Sequence, residues 1–507
     1  MVGILTLAYG LRVWLLAATN LNWDEGYSAW MQRLPLAQLL DTTARDVHPP
    51  LYYLTLRATA LIGDGEFIWR YGSVVFGVLA VAVAYRFGRA LGGGAVGVIT
   101  ALLLALARSN VHISQLMRMH VLAMLLSTGA LWATVVLLRR TNDRRAWLAY
   151  VLCTAGALYT FYLAVMTPLA LNLAFLIVWA VYWRDLRRLI WWGSAQIGAA
   201  LLFLPWALFA QARMFGWSSS AATPPGFFTA FYTTTLTVGR PTFATEQLLP
   251  ALAYLSVAVV GVVWLWWMGR RNSDQRKEVQ EHANGDRTGT QHAVSLQPDH
   301  APPRMGTQYI VSLLSTGENS RDVAGPVPTR IQVILLLSGV LTPAVVVFLL
   351  SLPFHDLGRP LAARYMLPLA TCFYALTAFG IVGLWRWRRG AGVVALLIPV
   401  SAAVWGMSNI AEGAFRRDEM HSIAALLDAQ RHPGDMVILH NDRTWTSLAA
   451  HYDGDFSRIP QAETITGPYA DDLLTPLRVQ HQGIWLVNTP NASANDPAAN
   501  IENWLYR

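Results

Sequence analysis

Charge is scarce in this chain: Asp, Glu, Lys and Arg together make up 13% of its 507 residues, against 54% hydrophobic residues. A water-soluble domain carries about a quarter charged residues, so a soluble globular protein is excluded. Lysine is almost missing, with Lys277 the one lysine among 38 basic residues. That skew towards arginine points to a GC-rich, bacterial genome. The two cysteines, Cys153 and Cys372, both fall within apolar runs, which excludes a disulfide framework and a cysteine-based metal site. No glycine-rich phosphate loop is present either, so no nucleotide-binding domain is expected.

What the chain does have is long apolar runs of roughly 18–22 residues, the length that crosses about 30 Å of hydrocarbon at 1.5 Å per residue. Eleven spans are expected, at 2–19, 67–85, 94–107, 119–138, 147–160, 162–182, 189–210, 248–268, 331–352, 364–384 and 391–408. The first contains Arg12 and lacks a small-residue cleavage site, so it reads as a retained anchor rather than a signal peptide. Every second loop is basic: Arg86 and Arg89, then Arg139, Arg140, Arg144 and Arg145, then Arg184, Arg187 and Arg188, then Arg270 and Arg271, then Arg386, Arg388 and Arg389. Positive loops face the cytoplasm, so the loops between them are expected to face outward. The net charge of +8 is explained by these flanking arginines, and no nucleic-acid partner is expected.

Two segments are not membrane. Residues 270–330 are polar and without period, the composition of a flexible cytoplasmic linker. Residues 411–507 change character again, with helical periodicity from Ala411 to Gln430 and short apolar runs at 435–440 and 483–488. These predict a small α/β domain on the outer face. The expected fold class is therefore an all-α polytopic membrane protein, residues 1–410, followed by that domain.

Within the outward loops, polar residues concentrate. The first loop, residues 20–66, carries Trp23-Asp24-Glu25-Gly26-Tyr27 and ends in Asp46-Val47-His48-Pro49-Pro50-Leu51-Tyr52-Tyr53. An ionised carboxylate in hydrocarbon costs at least about 2.5–3.5 kcal/mol on insertion scales, so an acid beside a span has a task. Ser114-Gln115-Leu116-Met117-Arg118-Met119-His120 and Ala363-Arg364-Tyr365-Met366-Leu367-Pro368 complete the set. Together, in this order, they resemble the GT-C superfamily of membrane glycosyltransferases, in particular the family 39-like branch of protein-O-mannosyltransferase and aminoarabinose-transferase relatives. The resemblance covers roughly residues 1–410 and departs from the pattern where Leu116 and His120 stand in place of an acid and a tyrosine.

The resemblance implies an inverting transfer of a sugar from a polyprenyl-phosphate donor to a protein, lipid or glycan acceptor outside the cytoplasmic membrane. It places Asp24 as the base and Glu25 beside it to orient the acceptor or hold a cation. Arg118, Arg364, Tyr365 and His120 would bind the donor phosphate, and Asp46, His48, Trp23 and Tyr27 would complete the active-site loop. Tyr52 and Tyr53 fit the interfacial aromatic belt, and His355-Asp356 is a further polar pair facing the same side. A divalent metal stays open, since no spacing among His48, His112, His120 and His355 identifies a site. The competing class is a transporter or flippase of polyprenyl-linked lipids, which would place charges mid-span and show inverted repeats. No internal repeat is visible, and the acids lie in a loop. A non-catalytic scaffold is the third reading.

Overall fold

The computed structural model describes residues 1–18, 21–211, 224–239, 245–289, 327–352, 363–408, 420–440, 445–459, 464–489 and 492–507. The described part is a bundle of apolar helices with a small α/β unit at its C-terminal end. Among the described residues seven helical stretches are long and apolar enough to cross a membrane, and a bent helix pair would make an eighth if it counts as one span. In chain order the bundle contains α1 (Val2–Val13), α2 (Trp23–Arg33), α3 (Leu36–Ala44), α4 (Leu51–Ala60), α5 (Glu66–Gly92), α6 (Gly94–Leu106), α7 (Arg108–Gln115), α8 (His120–Arg139) and α9 (Arg144–Thr160). It continues with α10 (Met166–Val178), α11 (Leu186–Ala210), α12 (Pro225–Thr237), α13 (Thr245–Gly289), α14 (Thr329–Leu350), α15 (Ala370–Trp387) and α16 (Arg389–Ser408).

Each expected span coincides with a helix, the one at 162–182 being Tyr162–Trp183, α10 with the short helical turns on either side, but three of those helices are shorter or less apolar than a full crossing: α1, α9 and α15. Three boundaries differ from the sequence expectation. The span expected at 94–107 is one limb of the α6–α7 pair, bent by 58°. The span expected from 364 begins only at Ala370, because Ala363–Met366 forms a single 3-10 turn. The linker expected from residue 270 starts as helix, since α13 runs on to Gly289, and 290–326 lie outside the described residues.

The bend between α6 and α7 has an identifiable cause. Helix ends leave carbonyls without intrahelical partners, and in an apolar bundle no bulk water satisfies them. Arg12 of α1, fully buried, supplies the donors: its guanidinium reaches Ala105 O at 3.2 Å and Leu104 O at 3.4 Å, and Ser114 Oγ of α7 at 3.2 Å. Gly77 of α5 leaves room for it, because a Cβ there would lie 2.7 Å from Arg12 Nε. The apolar first helix thus fixes the angle at which α7 delivers the loop carrying Arg118.

Residues 420–507 build the predicted α/β unit from α17 (Met420–Gln430), β1 (Met436–His440), α18 (Trp445–His451), β2 (Phe456–Ile459), α19 (Gly467–Gln480), β3 (Ile484–Asn488), α20 (Ala492–Asn495) and α21 (Asn500–Leu505). The strands are parallel in the order β2-β1-β3. Strand β1 is apolar up to its last residue, His440, because it is covered on both faces. Val437 and Leu439 pack with α17 and α18, while Ile438 packs with α19 and α21. Strand β2 was not foreseen: Phe456-Ser-Arg-Ile459 is short and half polar.

Replacing Arg12 by Leu leaves the Leu104 and Ala105 carbonyls without their donors at a cost of about 1–3 kcal/mol each. A lowered thermal transition of the lipid-embedded protein is the expected outcome; an unchanged one would show that Arg12 does not cap the α6 end.

Candidate active site

Helix α2 starts with a reciprocal cap. Asn22 Oδ1 accepts from Glu25 N at 3.0 Å, and Glu25 Oε2 accepts from Asn22 N at 3.3 Å. This capping box sets the first turn and with it the directions of Asp24 and Glu25. At about 100° per residue the two acids diverge, and they meet different partners.

Glu25 turns inward and is 1% exposed. Arg70 of α5 grips it with two bonds, Nε to Oε1 at 2.8 Å and Nη2 to Oε2 at 3.0 Å, and Met117 N donates to Oε1 at 2.9 Å. Arg70 also donates to Leu16 O at 2.9 Å and lies 3.6 Å from Glu66 Oε2. Glu25 was expected to orient an acceptor or a cation, and the structure places its oxygens against Arg70 and two backbone amides. It holds together the residues next to Asp24 and Arg118.

Asp24 points the other way, with a quarter of its side chain exposed, into a pair of arginines. Arg364 Nη1 stands 2.9 Å from Oδ2 and Arg118 Nη2 stands 3.8 Å from Oδ1. The two arginines are held differently. Arg118 is fixed, its side chain 4% exposed, donating to Asp24 O at 3.1 Å and Ser28 Oγ at 3.5 Å, with Nη2 3.4 Å from His48 Nε2. Arg364 is 34% exposed and, besides Asp24, rests over the Tyr365 ring, 5.5 Å from its centroid.

His48 accepts from Arg118 through Nε2, which puts its proton on Nδ1, facing Asp46 Oδ2 at 3.5 Å. Burial pushes the imidazole pKa below its ordinary value, with Asp46 opposing. Asp46 itself caps Val47 N at 2.6 Å. Phe161, at the break between α9 and the next turn, is the hub: its ring packs on His48 at 6.4 Å, His120 at 5.2 Å and Tyr365 at 5.6 Å. Tyr27, between Trp23 and Trp30 at 5.6 Å from each, continues this aromatic wall, and Trp23 is 47% exposed. Tyr52 and Tyr53 are not an interfacial belt: both are fully buried, Tyr52 in contact with Ser73 Oγ at 2.9 Å.

Several of the buried polar atoms without partners in the protein lie here, others being spread through the bundle. Among the described residues they include Arg118 Nε, Arg364 Nε, both ring nitrogens of His120 and Tyr53 Oη. Buried polar groups usually have a partner, so each of these has room to accept one from water or a ligand. No group of three His, Cys, Asp or Glu converges as metal ligands among the described residues. The His355-Asp356 pair lies outside them.

The structure thus brings together Asp24, Arg118, Arg364, Tyr365, His120, His48 and Asp46, with Trp23 and Tyr27 at the rim. Two residues of the site had not been singled out. Arg70 resembles any arginine at the head of a span, and Phe161 any core aromatic. The one available signal was Asn22 three residues before Glu25, the spacing of a capping box.

Replacing Arg70 by Leu should destabilise the protein by about 3–5 kcal/mol by stranding Glu25, whereas Arg70→Leu with Glu25→Leu should cost less than the single change. Thermal unfolding of the three proteins in lipid measures this, and equal losses would contradict the pairing. A second expectation follows from His48. Its neutral form contributes stability that is present above its unfolded pKa of about 6.5 and lost as pH falls through the lower folded value. Between about pH 7 and 5 the parent should lose more stability than His48→Asn; parallel slopes would exclude His48 as the titrating group.

Residues 47–209 match the sequence profile of the family described as dolichyl-phosphate-mannose-protein mannosyltransferase. No curated protein is significantly similar to the chain in sequence. In fold, the chain is similar to ArnT from Cupriavidus metallidurans in the apo state, with a TM-score of 0.56 at 12% identity, covering 91% of this chain and 86% of that one. The structure of the same protein bound to undecaprenyl phosphate gives a TM-score of 0.53 at 14% identity over the same shares. The resemblance read from the loop motifs is thus borne out, and the chain is a multi-pass membrane protein with the fold of the GT-C glycosyltransferases.

Proposed function

We propose that the protein transfers a sugar from a polyprenyl-phosphate donor to an acceptor hydroxyl, with inversion, on the extracytoplasmic side of the membrane. The observation that carries this reading is the partly exposed Asp24 carboxylate flanked by two arginines, with further N–H donors unpaired beside it. A transfer of this kind needs a base for the acceptor proton and positive charge for the departing phosphate, and the cluster offers both. The similar ArnT structure with undecaprenyl phosphate supports a lipid-phosphate donor.

In this reading Arg118 is the fixed half of the phosphate site and Arg364 the adjustable half. A phosphate competes with Asp24 for Arg364, and the planar guanidinium can offer it two bonds. The unpaired nitrogens of His120 add a donor, and Tyr365 sets the Arg364 side chain by ring contact. Asp24 then accepts the proton of the acceptor hydroxyl as its oxygen bonds to the anomeric carbon. The anomeric C–O bond to phosphate breaks, and polyprenyl phosphate leaves with the electron pair. Attack opposite the leaving group inverts the anomeric centre. Trp23 and Tyr27 offer aromatic faces to the sugar. The alternation of basic loops supports the outward placement, where nucleotide sugars made in the cytoplasm do not reach but a membrane-anchored donor does.

The test is turnover of radiolabelled polyprenyl-phosphate monosaccharides by the protein in lipid. Asp24→Asn should lower kcat by about 10²–10⁴-fold, the usual contribution of a positioned base, while leaving donor binding measurable. Arg364→Lys should chiefly raise the donor KM. Donor binding without release of polyprenyl phosphate, in parent and variants alike, would instead favour a transporter of the same lipid.

A further inference from the structure

Helix α2 is held from two sides, and one of them is the C-terminal domain. Thr446 Oγ1 of α18 donates to Trp23 O at 3.0 Å, and Ser447 Oγ donates to Leu21 O at 3.3 Å. The two helices touch at Gly26, where a Cβ would lie 2.7 Å from the Thr446 carbonyl carbon. Trp30 meets Trp445 edge to face at 5.3 Å, and Arg33 pairs with Asp453 at 2.9 Å. Residues 23, 26, 30 and 33 follow helical spacing and form one face of α2. At about 100° per residue, Asp24 and Ser28, which meet Arg118, fall nearly opposite that face.

A second route runs through polar side chains. His451, the last residue of α18, places Nε2 3.3 Å from Glu66 Oε1, and Glu66 Oε2 stands 3.6 Å from Arg70 Nη1. Arg70 in turn clamps Glu25, next to Asp24. The Glu25–Arg70 end is 1% exposed on both sides, whereas Glu66 and His451 also line a cavity of about 720 Å³ between the bundle and the domain. The domain therefore touches both supports of the loop: the back of α2 directly, and the clamp through His451 and Glu66.

We propose that the C-terminal domain is a positioning element of the transfer site, with Thr446 and His451 its positioning residues. They act through α2 and through Glu66–Arg70–Glu25, and orient Asp24 towards Arg118 and Arg364 without touching substrate. This inference rests on the functional reading for its kinetic consequence but not for its structural one. A loss of alignment of the order of 1 Å costs up to about 10²-fold in rate, so the effect belongs in kcat rather than in binding.

The experiment uses the full chain in lipid, with His451→Ala, His451→Lys and Thr446→Val beside the parent. Expected is a kcat about 10-fold lower in His451→Ala, a donor KM within about 2-fold of the parent, and recovery in His451→Lys, which places an N–H donor facing Glu66. Unchanged kcat in His451→Ala and Thr446→Val, or a loss that His451→Lys does not restore, would overturn the proposal. Hydrogen exchange at the Gly26–Ser28 amides is the second measurement, independent of turnover. Faster exchange in both His451→Ala and Thr446→Val is expected, and exchange equal to the parent overturns the inference even where no turnover is detected. Should His451→Ala fail to fold, Thr446→Val, nearly the same in shape, carries both readouts alone. A parent that does not turn over but shows the exchange change sinks the functional reading and leaves the structural one standing.

Discussion

Glu25 and Arg70 sit almost fully out of water, where the cost of stripping two charges of solvent offsets most of their mutual attraction. Such a pair adds little net stability, but it tolerates few arrangements, because any alternative strands a buried charge. Here the constraint ties four stretches of chain: Asn22 and Glu25 at the head of α2, Leu16 after α1, Arg70 in α5, and Met117 before α8. Asp24 and Arg118 are the next residues along from two of these anchor points. The separation between acid and arginine is thus inherited from a neighbouring contact rather than set by their own.

Interrupted helices provide the rest of the site. Arg118 lies between α7 and α8, Phe161 between α9 and the following turn, Arg364 and Tyr365 in a single 3-10 turn before α15, and His48 in the turn before α4. Irregular backbone is costly in an apolar bundle unless its amides and carbonyls find partners. Arg12 answers part of that demand at the end of α6, as Glu25 does at Met117 N. Side chains leave a broken helix in directions that a continuous one forbids, which is how His48, His120 and Tyr365 come to surround one ring, that of Phe161. The cost of the breaks and the geometry of the site are two aspects of one arrangement.

The α/β domain follows simpler rules. Its central strand is an apolar run closed by His440 because helices cover both faces, and its sheet is parallel because each strand is followed by a helix. Its helix α18 presents Thr446, Ser447 and His451 to the bundle, polar groups that meet backbone carbonyls and Glu66, beside ring contacts of Trp445 with Trp30 and His451 with Trp69. The join between bundle and domain is accordingly specific in orientation, and it falls on the helix that carries Asp24.

Run length and scarce charge determined on their own that the chain is a polytopic helical protein, because few other structures tolerate such composition. Asp24 stood out in the sequence for the same reason, since a charge beside hydrocarbon is expensive and its presence is informative; Arg118 and Arg364 stood out through the family resemblance of the motifs around them. The roles of neighbouring residues were not legible in that way. Glu25 and Asp24 look equivalent in sequence, and only the 100° between consecutive helical residues, fixed by the Asn22 cap, sends one into the core and the other to the arginines. Arg70 and Arg12 read as ordinary span-flanking or topology residues, since nothing local reveals that a distant carboxylate or a broken helix end will meet them. Tyr52 and Tyr53 were placed at an interface by residue type and proved buried by packing. Composition and period decide what must leave water; which buried groups then satisfy one another is a property of long-range contact, and only the tertiary structure decides it.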